Sequence, residues 1–305
     1  MKKILVIGGS LFTGRVYSIL AQRTGQFELH VANRGHYPLK LEGVSEYECD
    51  RHSPRLLERL LPDNIQFDAT IDFCGYNAGD IAPIVETLGA RCGHYIYFST
   101  ASVYDPALRK VKKEGDPLVS GGSYGQTVDD YLAGKIACEN ELIEAAGKCG
   151  LPYTILRPTF IYGPFNYAPR ESYFIELISR KHTVPVPIDA TARFSFVFVK
   201  DIANILMQIS GSEKVYGEVF NLSGPERVTY TSLIADFERF NGGAFPTREV
   251  TVDEVERERI PLPFPLIDDD LTDGTKLADA IGFSYTPFAE GMENTFRTFY
   301  SLYTN

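Results

Sequence analysis

A β-branched run that ends directly in a glycine cluster opens this chain: Ile4-Leu5-Val6-Ile7, then Gly8-Gly9-Ser10-Leu11-Phe12-Thr13-Gly14. A buried strand does not continue through paired glycines, so the backbone must turn at once. Residues 14–23 then place Val16, Tyr17, Ile19 and Leu20 at helical spacing. Strand, tight turn and helix start aim free backbone N–H groups and a positive dipole end at one spot, which suits a pyrophosphate. Gly8 permits the turn, and Gly14 lets the helix close on the strand. The alternative is a turn with a purely structural role.

The same rhythm repeats. Residues 27–32, 67–73, 94–99 and 153–156 read as strands, and residues 54–61, 81–88 and 129–146 as helices. Strand and helix in alternation predict a parallel sheet covered on both faces. After about residue 160 the rhythm breaks. Prolines gather at 158, 164, 169, 185 and 187, and again at 261, 263 and 265, which predicts a smaller lobe of loops and short elements. Residues 194–199 and 219–222 read as strands able to rejoin the main sheet. At roughly 150 residues per domain, 305 residues suggest two units. The division read here is 1–165 plus about 194–222 for a dinucleotide-binding domain, and about 166–193 plus 223–305 for a substrate-binding lobe.

Composition narrows the function. Forty acidic against thirty basic residues give a formal charge of −10, so nucleic acid is an unlikely partner and an acidic membrane surface is not expected. The apolar run after Lys2-Lys3 is too short for a secretory segment, and no uninterrupted apolar stretch approaches membrane-spanning length. The five cysteines, 49, 74, 92, 138 and 149, include no C-x-x-C pair, so reduced thiols in a cytoplasmic protein are expected. Asp268-Asp269-Asp270 reads as a solvated turn, and no metal is predicted.

The end of the second strand selects between dinucleotides, because an acid there bonds the ribose 2′-hydroxyl and repels a 2′-phosphate. Here the residues are Ala32-Asn33-Arg34-Gly35, with no carboxylate. Arg34 can pair with a 2′-phosphate, so the reading leans to NADP over NAD; the alternative is a solvated loop charge. Asp50 stands where an adenine would be met, or is an ordinary loop acid. Leu11 occupies the middle of the glycine loop, where its side chain would crowd a pyrophosphate.

Tyr131 and Lys135 are four residues apart and share one helix face. A free tyrosine ionises near pH 10, and an adjacent ammonium is expected to lower that value toward neutrality. Upstream, Ser99-Thr100-Ala101-Ser102 ends a strand at the sheet edge where such folds bind ligands. The Thr100 hydroxyl can hold a substrate oxygen against Tyr131. A competing tyrosine, Tyr124 in Ser123-Tyr124-Gly125, lacks a lysine four residues on. Tyr131 can also simply pack on a helix face.

These segments, taken in order, resemble an extended short-chain dehydrogenase/reductase of the NAD-dependent epimerase/dehydratase group. The resemblance runs through Gly8 to Gly14, Ser99 to Tyr104, Tyr131 and Lys135 with Glu139, and Leu156-Arg157-Pro158 with Tyr162-Gly163-Pro164. It continues through Phe196 to Asp201, Val219 to Gly224, and Thr275-Lys276 with Gly282-Phe283. It implies a Rossmann-type doubly wound fold. By position it adds Gly75, Lys135 and Pro158 to the cofactor contacts read above from the loop and the end of the second strand, namely Gly8, Gly9, Ser10, Leu11, Phe12, Gly14, Asn33, Arg34 and Asp50; Leu11 and Asn33 depart from the sugar-epimerase pattern. It assigns catalysis to Thr100, Tyr131 and Lys135, with Arg193 beside a substrate diphosphate. The glycine loop, the Asn33-Arg34-Gly35 turn and Asp50-Arg51 resemble a divergent branch that includes chloroplast stem-loop-binding proteins and bacterial reductases.

Three functions follow as expectations. The first is an epimerase/dehydratase-type enzyme acting on a nucleotide sugar. The second is an NADPH-dependent carbonyl reductase. The third is an RNA-binding or cofactor-sensing protein on the same fold. Ala101-Ser102 stands where relatives that dehydrate carry Asp-Glu, which weighs against dehydration. The resemblance also implies a homodimer paired through the helix at 129–146, although Ile136, Leu142 and Ile143 could equally pack on the sheet. Asn166, Tyr167, Arg170 and Tyr173 are candidate pocket residues.

Overall fold

The computed structural model describes residues 1–120, 122 and 125–304. Its first part runs β1 (Lys2–Ile7), α1 (Phe12–Thr24), β2 (Phe27–Asn33), β3 (Ser45–Glu48), α2 (Pro54–Leu60), β4 (Ala69–Asp72), α3 (Ala82–Leu88) and β5 (Tyr95–Phe98). Next come α4 (Gln126–Cys149), β6 (Tyr153–Pro158), β7 (Phe160–Tyr162), α5 (Glu171–Ser179), β8 (Val184–Pro187), β9 (Phe196–Phe198), α6 (Val199–Ile209) and β10 (Glu218–Leu222). The chain closes with α7 (Tyr230–Asn241), β11 (Thr247–Val250), α8 (Val252–Glu258), α9 (Thr275–Ile281) and α10 (Phe288–Thr304).

Seven strands form one sheet in the order β10-β6-β5-β4-β1-β2-β3, and every neighbouring pair is parallel. The period of two along a strand sorts side chains to opposite faces. Ile4 and Val6 join Val16, Tyr17, Ile202 and Leu206 in one core. Leu5 and Ile7 join Leu57, Ile84 and Leu142 in the other. Helices α1 and α6 therefore cover one face, and α2, α3 and α4 the other. The strand order reverses between β1 and β4, which opens a crevice at their carboxyl ends. Both the glycine loop and residues 73–77 lie there.

Two sequence expectations change. Residues 194–199 do not rejoin the main sheet: β9 pairs with β7 in a separate two-stranded ribbon, and only β10 joins the seven. The reason is aromatic packing. Phe196 stacks with Phe288 at 5.2 Å and meets the edge of Phe264 at 5.0 Å, and Phe194 stacks on Phe264 at 4.9 Å. These rings commit β9 to the C-terminal lobe. In addition β3 appears, a half-exposed edge strand that the sequence pattern does not single out. The buried cluster that starts at Ile4 continues through Phe196 to Phe299, so one core spans both parts of the chain.

Buried His94 locks the sheet to the turn after α6. Thr154 Oγ1 donates to the Val215 carbonyl at 2.6 Å, so it accepts from His94 Nε2 at 2.9 Å, while His94 Nδ1 accepts from Gly211 N–H at 3.3 Å. Both ring nitrogens are satisfied only in the neutral tautomer. Burial lowers the pKa of this side chain from 6.5 to about 3. The unfolded chain therefore takes up a proton that the folded chain refuses, and stability is lost as pH falls from about 6.5 toward 3. At pH 5 the cost is about 2 kcal/mol. Chemical denaturation at pH 7.5 and pH 5 should show a loss of that size in the wild type and a much smaller one in His94→Gln.

Candidate active site

The glycine loop is built for close approach. Gly8 and Gly9 hold φ values of 81° and 70°, a region that favours glycine. A Cβ on Gly14 would lie 2.1 Å from Gly9 Cα, so only glycine lets α1 start against the turn. Helix α1 has no side-chain cap at its N-terminus, and Ser10 Oγ is buried without a partner. Free N–H groups and an orphan hydroxyl at one helix start fit a pyrophosphate. Leu11 is 45% exposed in an extended conformation, outside the tight packing of Gly9 on Gly14. Arg15 fastens the loop by donating to the carbonyls of Ser10 at 2.9 Å and Pro38 at 3.1 Å.

The crevice is a cleft of about 600 Å³. At the end of the cleft beside β2, Asn33 is committed to structure: Nδ2 donates to Glu46 at 3.0 Å, and Oδ1 accepts from Gly35 N–H at 2.7 Å. Arg34 is exposed and lines the cleft with His36 and Asp50. The Asp50 carboxyl is held below its ordinary range, first by the His52 N–H and also by His52 and Arg34 charge. Sequence reading missed the floor. Arg51 makes a two-pronged bond to Asp72, 2.9 Å on each prong, which neutralises a fully buried carboxylate at the end of β4. Tyr95 donates to the same carboxylate at 2.6 Å.

Helix α4 carries the other half of the site, and two features seat it. Gly134 lets it touch the β4 loop, since a Cβ there would lie 2.0 Å from the Tyr76 carbonyl oxygen. Five residues on, buried Glu139 accepts from Arg157 Nε at 2.9 Å and from Ser99 Oγ at 2.5 Å. Arg157 extends the network by donating to Tyr104 Oη at 3.1 Å, and Tyr104 donates to Asn221 at 2.7 Å. Helix α4 is thus tied to β5, β6 and β10.

The result brings Thr100, Tyr131 and Lys135 together on the cleft wall. Thr100 Oγ1 accepts from Ser102 N–H at 3.2 Å, and the Thr100 hydroxyl is near enough to the Tyr131 phenol to favour its ionisation. Lys135 departs from expectation. Its Nζ donates to the carbonyls of Gly75 at 2.9 Å and Phe98 at 2.8 Å, and sits over the rings of Tyr76 at 4.6 Å and Tyr97 at 5.0 Å. Burial lowers its pKa to about 8. Tyr131 is raised by burial, not lowered by Lys135; the opposing influences are the nearby Thr100 hydroxyl and the Arg170 charge. The tuning that spacing assigned to Lys135 comes instead from residues remote in sequence.

Other expected residues divide clearly. Pro158 lines the cleft, as do Asn166, Tyr167 and Arg170, but Tyr173 packs against the core. Gly75 is buried behind the wall and acts through its carbonyl, which also accepts from Tyr97 Oη at 2.9 Å. Arg193 lies outside the cleft, paired with Asp269. Ser123 and Tyr124 lie outside the described residues. Leu142 is buried under α4 while Ile143 is 43% exposed. Among the described residues no His, Cys, Asp and Glu group is placed to hold a metal ion, and no helix is long and apolar enough to cross a membrane.

A family model described as the NAD dependent epimerase/dehydratase family matches residues 4–223. The chain belongs to that family. It is an extended short-chain dehydrogenase/reductase with the Rossmann fold that the glycine loop and strand order build. The chloroplast stem-loop binding protein of 41 kDa b from Arabidopsis thaliana is 29% identical over 82% of this chain. The chain spans 65% of that relative's length. UDP-glucuronic acid 4-epimerase from Bacillus cereus, solved with NAD, superposes with a TM-score of 0.78 at 17% identity, over 99% of each chain. UDP-N-acetylglucosamine 4-epimerase from Methanobrevibacter ruminantium M1 gives 0.80 at 19% identity, also over 99% of each.

Two glycines on α4 supply a paired test. Gly134→Ala must push the helix off Tyr76, and should cost about 1–3 kcal/mol and misplace Tyr131. Gly147→Ala, with open space around it, should be neutral or stabilising by under about 1 kcal/mol. Urea melts of the two variants check this; equal effects would show that the close approach is not a constraint.

Proposed function

We propose that this chain interconverts epimers of a nucleotide-activated sugar by reversible oxidation at one hydroxyl-bearing carbon. The observation that supports this reading is the meeting of Thr100, Tyr131 and Lys135 on the wall of the cleft that the glycine loop enters. A nicotinamide dinucleotide, when bound, would supply reversible hydride acceptance. Gly8, Gly9, Ser10 and the start of α1 would hold its pyrophosphate, with Arg34 and Asp50 at the adenosine end and Lys135 and Pro158 near the nicotinamide ribose. Tyr131 Oη takes the proton of the sugar hydroxyl, and Thr100 Oγ1 holds the same oxygen. The carbon is inverted when the hydride it gave up comes back to the opposite face of the intermediate carbonyl, and Tyr131 then returns the proton to the carbonyl oxygen.

Epimerisation is favoured over dehydration because Thr100 is followed by buried Ala101 and exposed Ser102, neither able to protonate a leaving hydroxyl. The solved structures of similar fold that are named as UDP-sugar 4-epimerases support the substrate class. The relative's name raises RNA binding as a second reading. Against it, the basic stretch at 109–113 is matched by carboxylates: Arg109 with Asp268, Lys110 with Asp116, Lys112 with Asp270 and Lys113 with Asp273.

Incubation with UDP-glucose or UDP-glucuronate and catalytic NAD or NADP, followed by proton NMR, should reveal the epimer without net change in the cofactor. Tyr131→Phe should lower the rate by about 10²–10⁴-fold. Net consumption of reduced cofactor on carbonyl compounds, with no epimer, would replace this reading by simple reduction.

The absence of a carboxylate at the end of β2, with Arg34 exposed beside it, supports NADP as the preferred dinucleotide. Fluorescence titration should show tighter binding of NADPH than NADH. Arg34→Ala should weaken NADPH by about tenfold, the worth of one charge-assisted contact, and leave NADH within about twofold. Equal weakening of both would demote Arg34 to a loop charge.

A further inference from the structure

We infer that Arg170 forms an oxyanion subsite beside Tyr131, and that the substrate carries a carboxylate or phosphate close to its reacting carbon. The inference rests on the reading of Tyr131 as the proton-transferring group, and adds the charge of what it acts on.

Arg170 lines the cleft with Tyr131 and Thr100. Its guanidinium lies over the Phe160 ring at 5.3 Å, which fixes its plane and shields one face from water. Among the described residues it makes no ion pair. Six other arginines of its lobe, Arg180, Arg193, Arg239, Arg248, Arg257 and Arg297, face carboxylates; Arg227 and Arg259 share the lack of an ion pair but stand outside the cleft, so Arg170 is the one of the three that lines it among the described residues.

The loop before it explains why the charge stays uncompensated. Glu171, the next residue, is the nearest carboxyl in sequence, yet it is fully buried and turned to other work. It accepts from Asn166 Nδ2 at 3.0 and 3.1 Å and from Gly163 N–H at 3.1 Å. Asn166 Oδ1 in turn accepts from Ala168 N–H at 3.0 Å. This carboxyl staples the whole turn from Gly163 to Arg170 from inside, while the arginine is left at the cleft surface. A rigid turn that ends in an unpaired, ring-supported guanidinium is a preorganised receptor for a planar or tetrahedral oxyanion. Its charge also acts on Tyr131, favouring the phenolate. The other arginine proposed for a substrate anion, Arg193, is bound to Asp269 and stands outside the cleft.

Isothermal titration with sugars that differ in one group tests this on the full chain. The probes are UDP-glucose and UDP-glucuronate, then glucose, glucuronate and glucose 6-phosphate, with malate as a hydroxy acid that is not a sugar. Wild type should bind at least one anionic probe about ten- to a hundredfold tighter than its neutral counterpart, the worth of a charge-assisted pair. Arg170→Gln should erase that preference, Arg170→Lys should keep part of it, and Arg180→Gln should leave it intact. Arg170 dependence confined to glucuronates names a carboxylate, and dependence confined to glucose 6-phosphate names a phosphate. If only malate binds in an Arg170-dependent way, the sugar reading falls while the oxyanion subsite stands. Unchanged discrimination in Arg170→Gln overturns the inference. So does its loss in Arg193→Gln alone, or the failure of every anionic probe to bind wild type. Thermal melts confirm that each variant is folded.

Discussion

The buried Glu139–Arg157 pair is the interaction on which the arrangement of the site depends. It joins the middle of α4 to β6, and through Ser99, Tyr104 and Asn221 to β5 and β10. A buried pair of this kind adds little net stability over a well-packed apolar core, because desolvating both charges offsets their attraction. Its value here is geometric. A hydrophobic contact would let α4 slide by a fraction of a turn, but the fork of a guanidinium accepts few orientations. Tyr131 and Lys135 sit two turns and one turn before Glu139 on the same helix. The register set at Glu139 therefore fixes where the phenol meets Thr100.

Close backbone approach supplies the second constraint. Gly134 brings α4 against the loop after β4, and Gly14 brings α1 against its own turn. The first contact puts the Gly75 carbonyl within reach of Lys135, which also bonds Phe98 at the end of β5. One ammonium thereby bridges the ends of two adjacent strands under two tyrosine rings. Helix α4 and the glycine loop come this close because a glycine stands at each point of contact.

The first five strands of the sheet, apart from β3, and the helices between them were legible because their signals are local. Ile4 to Ile7 and the glycines after it name a strand and a turn without reference to anything else. β3 escaped notice because Ser45-Glu46-Tyr47-Glu48 alternates without a buried face, and its strand character comes from pairing with β2. The fate of Phe196 to Phe198 was equally non-local: a run of three aromatic and β-branched residues fits any sheet, and rings from residues 160, 264 and 288 decided which. At the site, Thr100, Tyr131 and Lys135 could be named, but their electrostatics could not. Spacing put Lys135 on the same helix face as Tyr131, yet two carbonyls claim its protons. Arg51, Tyr76 and Arg170, which shape the field around the site, lie 80, 55 and 39 positions from Tyr131 in sequence, and only the fold brings them near.

That field runs against the charge of the molecule as a whole. The chain carries −10, yet the buried acids around the cleft are neutralised from within. Asp72 is held by Arg51, and Asp80 by the N–H groups of Tyr76 and Asn77 together with His52. Glu139 is held by Arg157, and Glu171 by Asn166 and Gly163. Arg34 and Arg170 have no such partner in the ion pairs of the described residues, and each lines the cleft, one after β2 and one before α5. Low-dielectric cleft walls strengthen the pull of such cations on an anion that enters, against the acidic charge of the chain as a whole. Two cations in one cleft match a ligand set with negative charge at both ends. The internal pairing of its carboxylates is what leaves such cations uncompensated in so acidic a chain.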